Sequence, residues 1–564
     1  MDKISIKIND KTYLTEQGKS ILEIASENGI EIPSLCFHPD IETKQHCGMC
    51  IIRVNGEKKF KRTCTTTVKD GMEIITESKE IIKERRKNLE NILEKHLLEC
   101  DDCVWFGHCQ LLDLINRFGM KPIAKKNKKN QVFQVGKIVF DQTKCIGCGN
   151  CLDVCPTNFL NLNEQNKIDY STDKKIDCIN CGQCVLHCPV GAIEGVGEFE
   201  ELEKVFKDKN KITIVQFAPS IRTSMGKITT NQLVSGLKKI GFDYVFDTAL
   251  GADFTTMEEA DELIERLSKN ERLPAMSSCC PAWVKLVEVN YPEFIPNLCT
   301  SRSPQIMLGG IIKNYWSVKY NINSKDILVV SIMPCIAKKF EIKREELKIK
   351  GDYPVDMVLT TRELIRLFKK NGIDVENIEE KEADNPFGHP SGAGVIYGAS
   401  GGVFESALRT TYFKMTNKNL AKEAVKEIRG IEGIKTKEIK IGERTIKICV
   451  ASGIKNAKKV LENLKKNPHL YDAVEIMACP GGCIAGGGQP LPTNKKNIKE
   501  RLKLLYVIDN KSTMKCAHEN QEVKKIYKEF FTDDETRRKI LHTCFFKKNK
   551  TEIKRLENSR EVGE

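Results

Sequence analysis

Residues 475–490 read EIMACPGGCIAGGGQP, a short apolar run that breaks into Cys479, Pro480, two glycines and Cys483, then three more glycines. A buried strand that ends this way brings two soft thiolate ligands and a backbone free to approach something bulky. The glycines lack the Lys-Ser/Thr ending of a phosphate-binding loop, which makes an inorganic cluster the better guest. Two other apolar runs have the same character. Asp326–Met333 leads into Pro334 and Cys335 with Lys338 and Lys339 behind, and Pro274–Ser278 leads into Cys279, Cys280 and Pro281. Sites in open α/β folds form beyond the carboxyl ends of strands. The three ends are therefore expected to meet in one bay, with Cys280, Cys335, Cys479 and Cys483 as ligands and Cys279 beside them. Scattered core thiols are the plainer alternative, but five thiols, each at a strand end next to Pro or Gly, argue against it.

Four further groups precede these. Cys36, Cys47, Cys50 and Cys64 are spaced C-x10-C-x2-C-x13-C, which suits zinc or a 2Fe–2S cluster. The surrounding strand–turn–strand–helix order, that of a β-grasp, favours the 2Fe–2S cluster. His96, Cys100, Cys103 and Cys109 form a set of one histidine and three cysteines, a common zinc arrangement. Its place between two iron–sulphur candidates favours a 4Fe–4S cluster, and His108 reads as a bystander. Cys145, Cys148, Cys151 and Cys155 followed by Pro156 spell C-x2-C-x2-C-x3-C-P, and Cys178, Cys181, Cys184, Cys188 and Pro189 repeat it. In such doubled runs the fourth Cys serves the other cluster. Cys188 is thus expected to join Cys145, Cys148 and Cys151, and Cys155 to join Cys178, Cys181 and Cys184.

The elements that must carry these groups imply a multidomain α/β chain. Its 24 cysteines among 564 residues suit metals better than disulfides, given a charged start (MDKISIKIND) without a signal peptide and no apolar run of membrane-spanning length. A cytoplasmic protein, with no membrane and no nucleic-acid partner, is expected. The net charge of +13 favours an acidic partner. Expected units are a 2Fe–2S ferredoxin-like domain over 1–78, a small His/Cys cluster domain over 79–125, a two-cluster 4Fe–4S ferredoxin domain over 136–205, a large α/β domain over 211–545 and a frayed charged tail over 546–564. A Lys/Asn-rich linker is read at 121–135. A helix is read from Glu80 to Leu98, delivering His96, and another over Met257–Leu267. The latter is opened by a Thr256–Glu259 capping box and places Glu259 and Glu262 on one face.

SSCCPAW (277–283), MPCIAKKFE (333–341) and EIMACPGGCIAGGGQP (475–490) closely resemble the signature motifs of iron-only, or FeFe, hydrogenases. The order of N-terminal modules resembles the clostridial, ferredoxin-linked monomeric type, and the likeness runs to about residue 545. It implies one 2Fe–2S cluster, three accessory 4Fe–4S clusters and an H-cluster, in which a 4Fe–4S cubane on Cys280, Cys335, Cys479 and Cys483 is bridged through Cys483 to a diiron subsite. That subsite carries CO, cyanide and an azadithiolate, and maturation proteins must supply it. The resemblance further implies reversible reduction of protons to H2 with electrons from ferredoxin or flavodoxin. Cys279 would relay the proton, Glu259, Glu262 and Cys299 would lie on the proton route, and Lys338 would donate to a cyanide. Pro219, Ser220 and Gln305 would line the diatomic ligands, with Met333 and Met477 packed beside them.

Departures from the family pattern are Ser277 for Thr, Ala282 for Gly, Tyr397 for Phe and Cys299 for the serine of the proton route. The weaker S–H donor at Cys299 is expected to slow or reroute proton relay. Rival readings are an iron–sulphur assembly relative without the diiron subsite and a hydrogen sensor without significant turnover. A subunit of an NADH-linked complex would share only the style of residues 1–200.

Overall fold

In the computed structural model, which describes residues 3–41, 46–96, 100, 103, 105, 109–120, 131–173, 175–431, 433–491 and 493–556, two four-stranded sheets carry the large α/β unit. The first has the order Tyr244–Asp247, Ile212–Phe217, Ile327–Met333, Met357–Thr360, all parallel. Its central strands are Val/Ile-rich and buried, as parallel strands covered on both faces must be. The second runs Ala275–Met276, Ala473–Met477, Arg444–Ser452, Ile434–Ile441, with only the last pair antiparallel. Register aligns the strand ends: Phe217 pairs with Ile332 in one sheet and Met276 with Val474 in the other.

The helix read over Met257–Leu267 is one part of a longer one, Thr248–Lys269. Thr256 therefore lies in mid-helix, and the capping-box reading is wrong. Asp247 is the cap, accepting from the Ala249 N–H at 2.9 Å. The helix is buried on nearly all sides against Pro304–Ile311, Gly392–Ile396 and Gly402–Thr416. Its first half has no polar stripe to mark it as helical.

Ahead of this unit, Lys11–Glu16, Lys3–Ile8, Glu73–Ile75, Ile51–Val54 and Lys61–Arg62 form a five-stranded mixed sheet in that order. The helix Ile21–Glu27 packs on it, opened by a Ser20/Glu23 capping box. The helix before His96 spans Lys79–Leu93, shorter than the sequence suggests, and 97–99 and 108 lie outside the described residues.

Two expectations about boundaries fail. Val132–Val135, placed in a linker, is an inner strand of a sheet ordered Ile193–Gly195, Ile138–Asp141, Val132–Val135, Ile553–Leu556; residues 121–130 lie outside the described set. The frayed tail is likewise overturned where it is described, because Ile553–Leu556 supplies the edge strand of that sheet. No helix among the described residues is long and apolar enough to cross a membrane.

Candidate functional site

Strand ends from both large-domain sheets open onto one cavity with about 800 Å³ of space not filled by atoms, its open mouth included. Its wall includes Cys279, Cys280, Cys335, Cys479 and Cys483. Cys280 caps the helix Pro281–Asn290, with Pro281 at the first helical position, where a missing N–H costs nothing. Cys335 stands just ahead of the helix Ala337–Glu341. Burial raises both thiols, Cys335 to about 12, while nearby backbone N–H groups and the Lys338 charge pull the other way. Helix N-termini of this kind favour thiolates once a cation is bound.

The glycine run works differently from the reading that it simply makes room for a guest. Gly482, with φ +89°, and Gly486 do line the cavity. A Cβ on Gly486 would stand 2.1 Å from the Pro334 carbonyl oxygen, and one on Gly487 would stand 2.6 Å from the Gly182 backbone. These glycines let separate backbones touch.

Pro219, Ser220, Gln305, Lys338, Met333 and Met477 all lie on the cavity wall. Lys338 Nζ donates to Glu341 Oε2 (2.8 Å) and to the Cys279 carbonyl (3.1 Å). Burial opposes its charge, but Glu341 outweighs that and holds the ammonium above its ordinary range. Glu341, which the sequence reading passed over, also accepts from Ser303 Oγ (2.9 Å) and Gln305 Nε2 (2.6 Å). Its place three residues after Lys338 on one helix was a readable signal. Ser220 Oγ and Gln305 Oε1 are buried without a hydrogen-bond partner. A cavity with six thiols, a lysine and two unanswered polar atoms fits a metal–sulphur group that itself carries polar ligands.

Glu259 and Glu262 stand behind Cys279 and off this wall. Burial, then the charges of Glu262 and Glu475, raises Glu259 to about 8. Its partners are long contacts from Tyr397 OH (3.4 Å) and Ser301 Oγ (3.5 Å), and Tyr397 OH in turn accepts from Thr256 Oγ1 at 3.0 Å. Glu262 is bound by Arg266 (2.5 Å) and by the Thr300 N–H and hydroxyl (2.8 and 3.0 Å). Thr300 Oγ1 continues to His542 Nδ1 (2.8 Å), and His542 Nε2 to Glu258 Oε2 (2.6 Å). Cys279 and Cys299 are both raised well above the usual thiol range, first by burial and then by Glu259 and Glu262 respectively. Ser301 and Thr300 reach the two glutamates, and His542 reaches Thr300 and Glu258, from distant segments, which sequence alone does not show.

The two ferredoxin-type groups also gather. Cys145, Cys148, Cys151 and Cys188 line one cavity of about 320 Å³, and Cys155, Cys178, Cys181 and Cys184 another of about 310 Å³. Their remaining walls are mostly apolar. Cys181 also reaches the large cavity. The sulphurs of Cys36 and Cys47 lie 3.4 Å apart, those of Cys50 and Cys64 3.3 Å. His96 Nδ1 donates to the Lys144 carbonyl (2.6 Å), which leaves Nε2 with its lone pair. Burial depresses its pKa to about 4, so the ring is neutral, as a metal ligand must be. Cys100, Cys103 and Cys109 are half-buried.

Comparison with known proteins gives four family matches. Residues 211–487 match the iron only hydrogenase large subunit, C-terminal domain, and 495–548 the iron hydrogenase small subunit. Residues 1–79 match a 2Fe-2S iron-sulfur cluster binding domain and 144–192 a 4Fe-4S dicluster domain. The chain is 35% identical to iron hydrogenase 1 of Clostridium pasteurianum, over 93% of this chain and 96% of that one. It is 34% identical to the NADP-reducing hydrogenase subunit HndD of Solidesulfovibrio fructosivorans, over 98% of this chain and all of that one. The solved structure of apo [FeFe]-hydrogenase HydA1 from Chlamydomonas reinhardtii superposes with a TM-score of 0.56 at 36% identity, covering 61% of this chain and 98% of that one.

Proposed function

This chain belongs to the iron-only hydrogenase family, and from that premise we propose that it interconverts protons, electrons and H2 at the large cavity, as a cytoplasmic monomer supplied by ferredoxin or flavodoxin. The observation that carries the reading is the convergence of Cys280, Cys335, Cys479 and Cys483 on one space that also holds Cys279 and Lys338. These four thiolates would hold the cubane of an H-cluster, Cys483 would bridge to the diiron subsite, and maturation proteins would deliver that subsite. The bound cluster supplies the two-electron chemistry.

The chain's own residues do the rest. Cys279 keeps its proton at Sγ, because burial and Glu259 disfavour the thiolate. Glu259, poised near 8, can accept and return a proton at working pH. Glu262, Thr300, His542 and Glu258 continue the route through hydrogen bonds of 3.0, 2.8 and 2.6 Å. Ser301 offers Glu259 the hydroxyl that Cys299 no longer provides. Lys338, fixed by Glu341, presents its charge to an anionic ligand. Electrons would arrive through one 2Fe–2S and three 4Fe–4S clusters held by the smaller groups, with 1–78, 79–125, 136–205 and 211–545 as the working units.

Infrared spectroscopy of the anaerobically matured protein tests this, with CO and CN stretching bands expected. Their absence from protein that carries its cubane would favour an assembly role instead, whereas bands without significant turnover would favour a sensor. The likeness to an NADP-reducing hydrogenase subunit favours a second reading of the electron source, in which a nucleotide-oxidising partner subunit replaces ferredoxin. Sizing of the native complex and hydrogen evolution assayed with reduced ferredoxin separate the two.

A further inference from the structure

Gln183 lies between two expected relay ligands, Cys181 and Cys184, yet its side chain leaves its own domain. Its amide Nε2 donates to the Cys479 sulphur at 3.2 Å and to the Ala485 carbonyl at 3.0 Å. Both acceptors belong to the glycine-rich segment of the large unit. Gln183 is 6% exposed and Cys479 8%, so water does not compete for this contact. The neighbours make it rigid. Gly182 turns with φ +73°, and the Gly487 backbone packs directly on it, at a distance no Cβ could share. Cys181 lines both the 310 Å³ cavity and the large one. Three consecutive residues thus join the walls of the two sites: Cys181 lines both, Gly182 lines the smaller and packs on Gly487, and Gln183 donates to Cys479.

An amide N–H aimed at a ligand sulphur withdraws electron density from it. It stabilises the more negative, reduced state of the attached cluster, and hydrogen bonds to the sulphurs are among the recognised levers on cluster potential. An N–H shared with a backbone carbonyl is also held in place, and the same short bridge lies between the walls of the two cavities.

We propose that Gln183 sets the electron affinity of the cubane held by Cys280, Cys335, Cys479 and Cys483, and so the direction in which the last electron step is favourable. This rests on the ligand assignment made above. Cys155, Cys178, Cys181 and Cys184 would hold the electron donor, and the step concerned would pass one electron from it to the cubane, with no bond made or broken and no proton moved. With the amide donor present, the electron rests more readily on the cubane.

The test uses the full-length protein produced without the maturation machinery, with its iron–sulphur clusters reconstituted, followed by redox titration under electron paramagnetic resonance. Gln183→Met keeps the volume and removes the donor. Gln183→Glu keeps the shape and places an acceptor where the donor was. Both are expected to move the cubane midpoint to more negative potential, the glutamate further. For the methionine variant the electron's equilibrium between cubane and neighbour shifts about tenfold toward the neighbour, the size of one modest hydrogen bond to a charged acceptor. Gln183→Asn, which keeps an amide on a shorter arm, is expected to lie nearer the parent. A cubane midpoint unchanged in the Met and Glu variants, with all cluster signals intact, overturns the proposal, and so does an equal shift in all three, which marks a packing effect. Cys335→Ser serves as the separate control: a cubane signal undiminished in that variant sinks the ligand assignment itself, whatever Gln183 does.

Discussion

The two ferredoxin-type cavities and the large one are built from the same ligand but not from the same wall. Around Cys145, Cys148, Cys151 and Cys188 the remaining wall is mostly aliphatic, with Ile146, Leu162, Ile168, Val190 and Ile193. The large cavity has more than twice the volume and adds Lys338, Gln305, Ser220 and a fifth thiol. A relay site has only to hold a cluster and keep water out, and hydrocarbon does both. A site that must also handle charged ligands and protons needs polar groups, and each buried polar group needs its own support. The support is visible in Glu341, which gathers Ser303, Gln305 and Lys338 on one carboxylate oxygen.

Removing one ligand from each kind of site sharpens the contrast most. Cys479→Ser is expected to abolish hydrogen evolution from reduced methyl viologen, by at least about a thousandfold, with loss of cubane iron. Cys148→Ser should lose accessory iron but keep most of the dye-driven rate, while ferredoxin-driven turnover falls. Equal losses in the two dye assays would erase the distinction. Next in size is the fifth thiol. Cys279→Ala should cost roughly a hundredfold to ten-thousandfold in rate with the infrared bands retained, and an unchanged rate removes Cys279 from the proton route.

Lys338→Met leaves Glu341 buried without its cation, and breaking such a pair typically costs about 3–5 kcal/mol. Chemical denaturation measures it, and a loss below about 1 kcal/mol would show that the polar wall needs less support than argued. The smallest effect is a pH slope. Glu259 is raised from an ordinary 4.5 to about 8, so the folded state holds its proton while the unfolded state gives it up. Its contribution to stability is complete below pH 4.5 and is lost as pH rises through 8, at roughly 1 kcal/mol per unit. Glu259→Gln should flatten that decline in thermal scans from pH 5 to 8, and an identical slope in parent and variant refutes the buried-carboxyl account.

The same contrast explains what could be read from sequence. The Cys groups were legible because ligand spacing is local: C-x2-C-x2-C-x3-C-P is written within a dozen residues. The parallel strands were legible as apolar runs ending in Pro, Cys or Gly. The supporting groups were not, since Gln183 reaches Cys479, and His542 reaches Glu258 and Thr300, across hundreds of residues. Thr248–Lys269 was cut short in the reading because its first half is buried all round and shows no periodic face. Val132–Val135 followed a Lys/Asn-rich run, and its outer partner lies at the far end of the chain. Ile553–Leu556 reads IKRL, an exposed edge strand whose charges imitate a tail.

That edge strand has a consequence for how the molecule is made. A ribosome releases Val132–Val135 long before it reaches Ile553, so the sheet beside the relay cavities stays open on one side until Ile553–Leu556 has been made. Completion of that sheet thus waits on a segment that follows the hydrogenase domains in the chain. Removal of Ile553–Leu556 should be felt first at the sheet beside the relay cavities, with the catalytic cavity still intact.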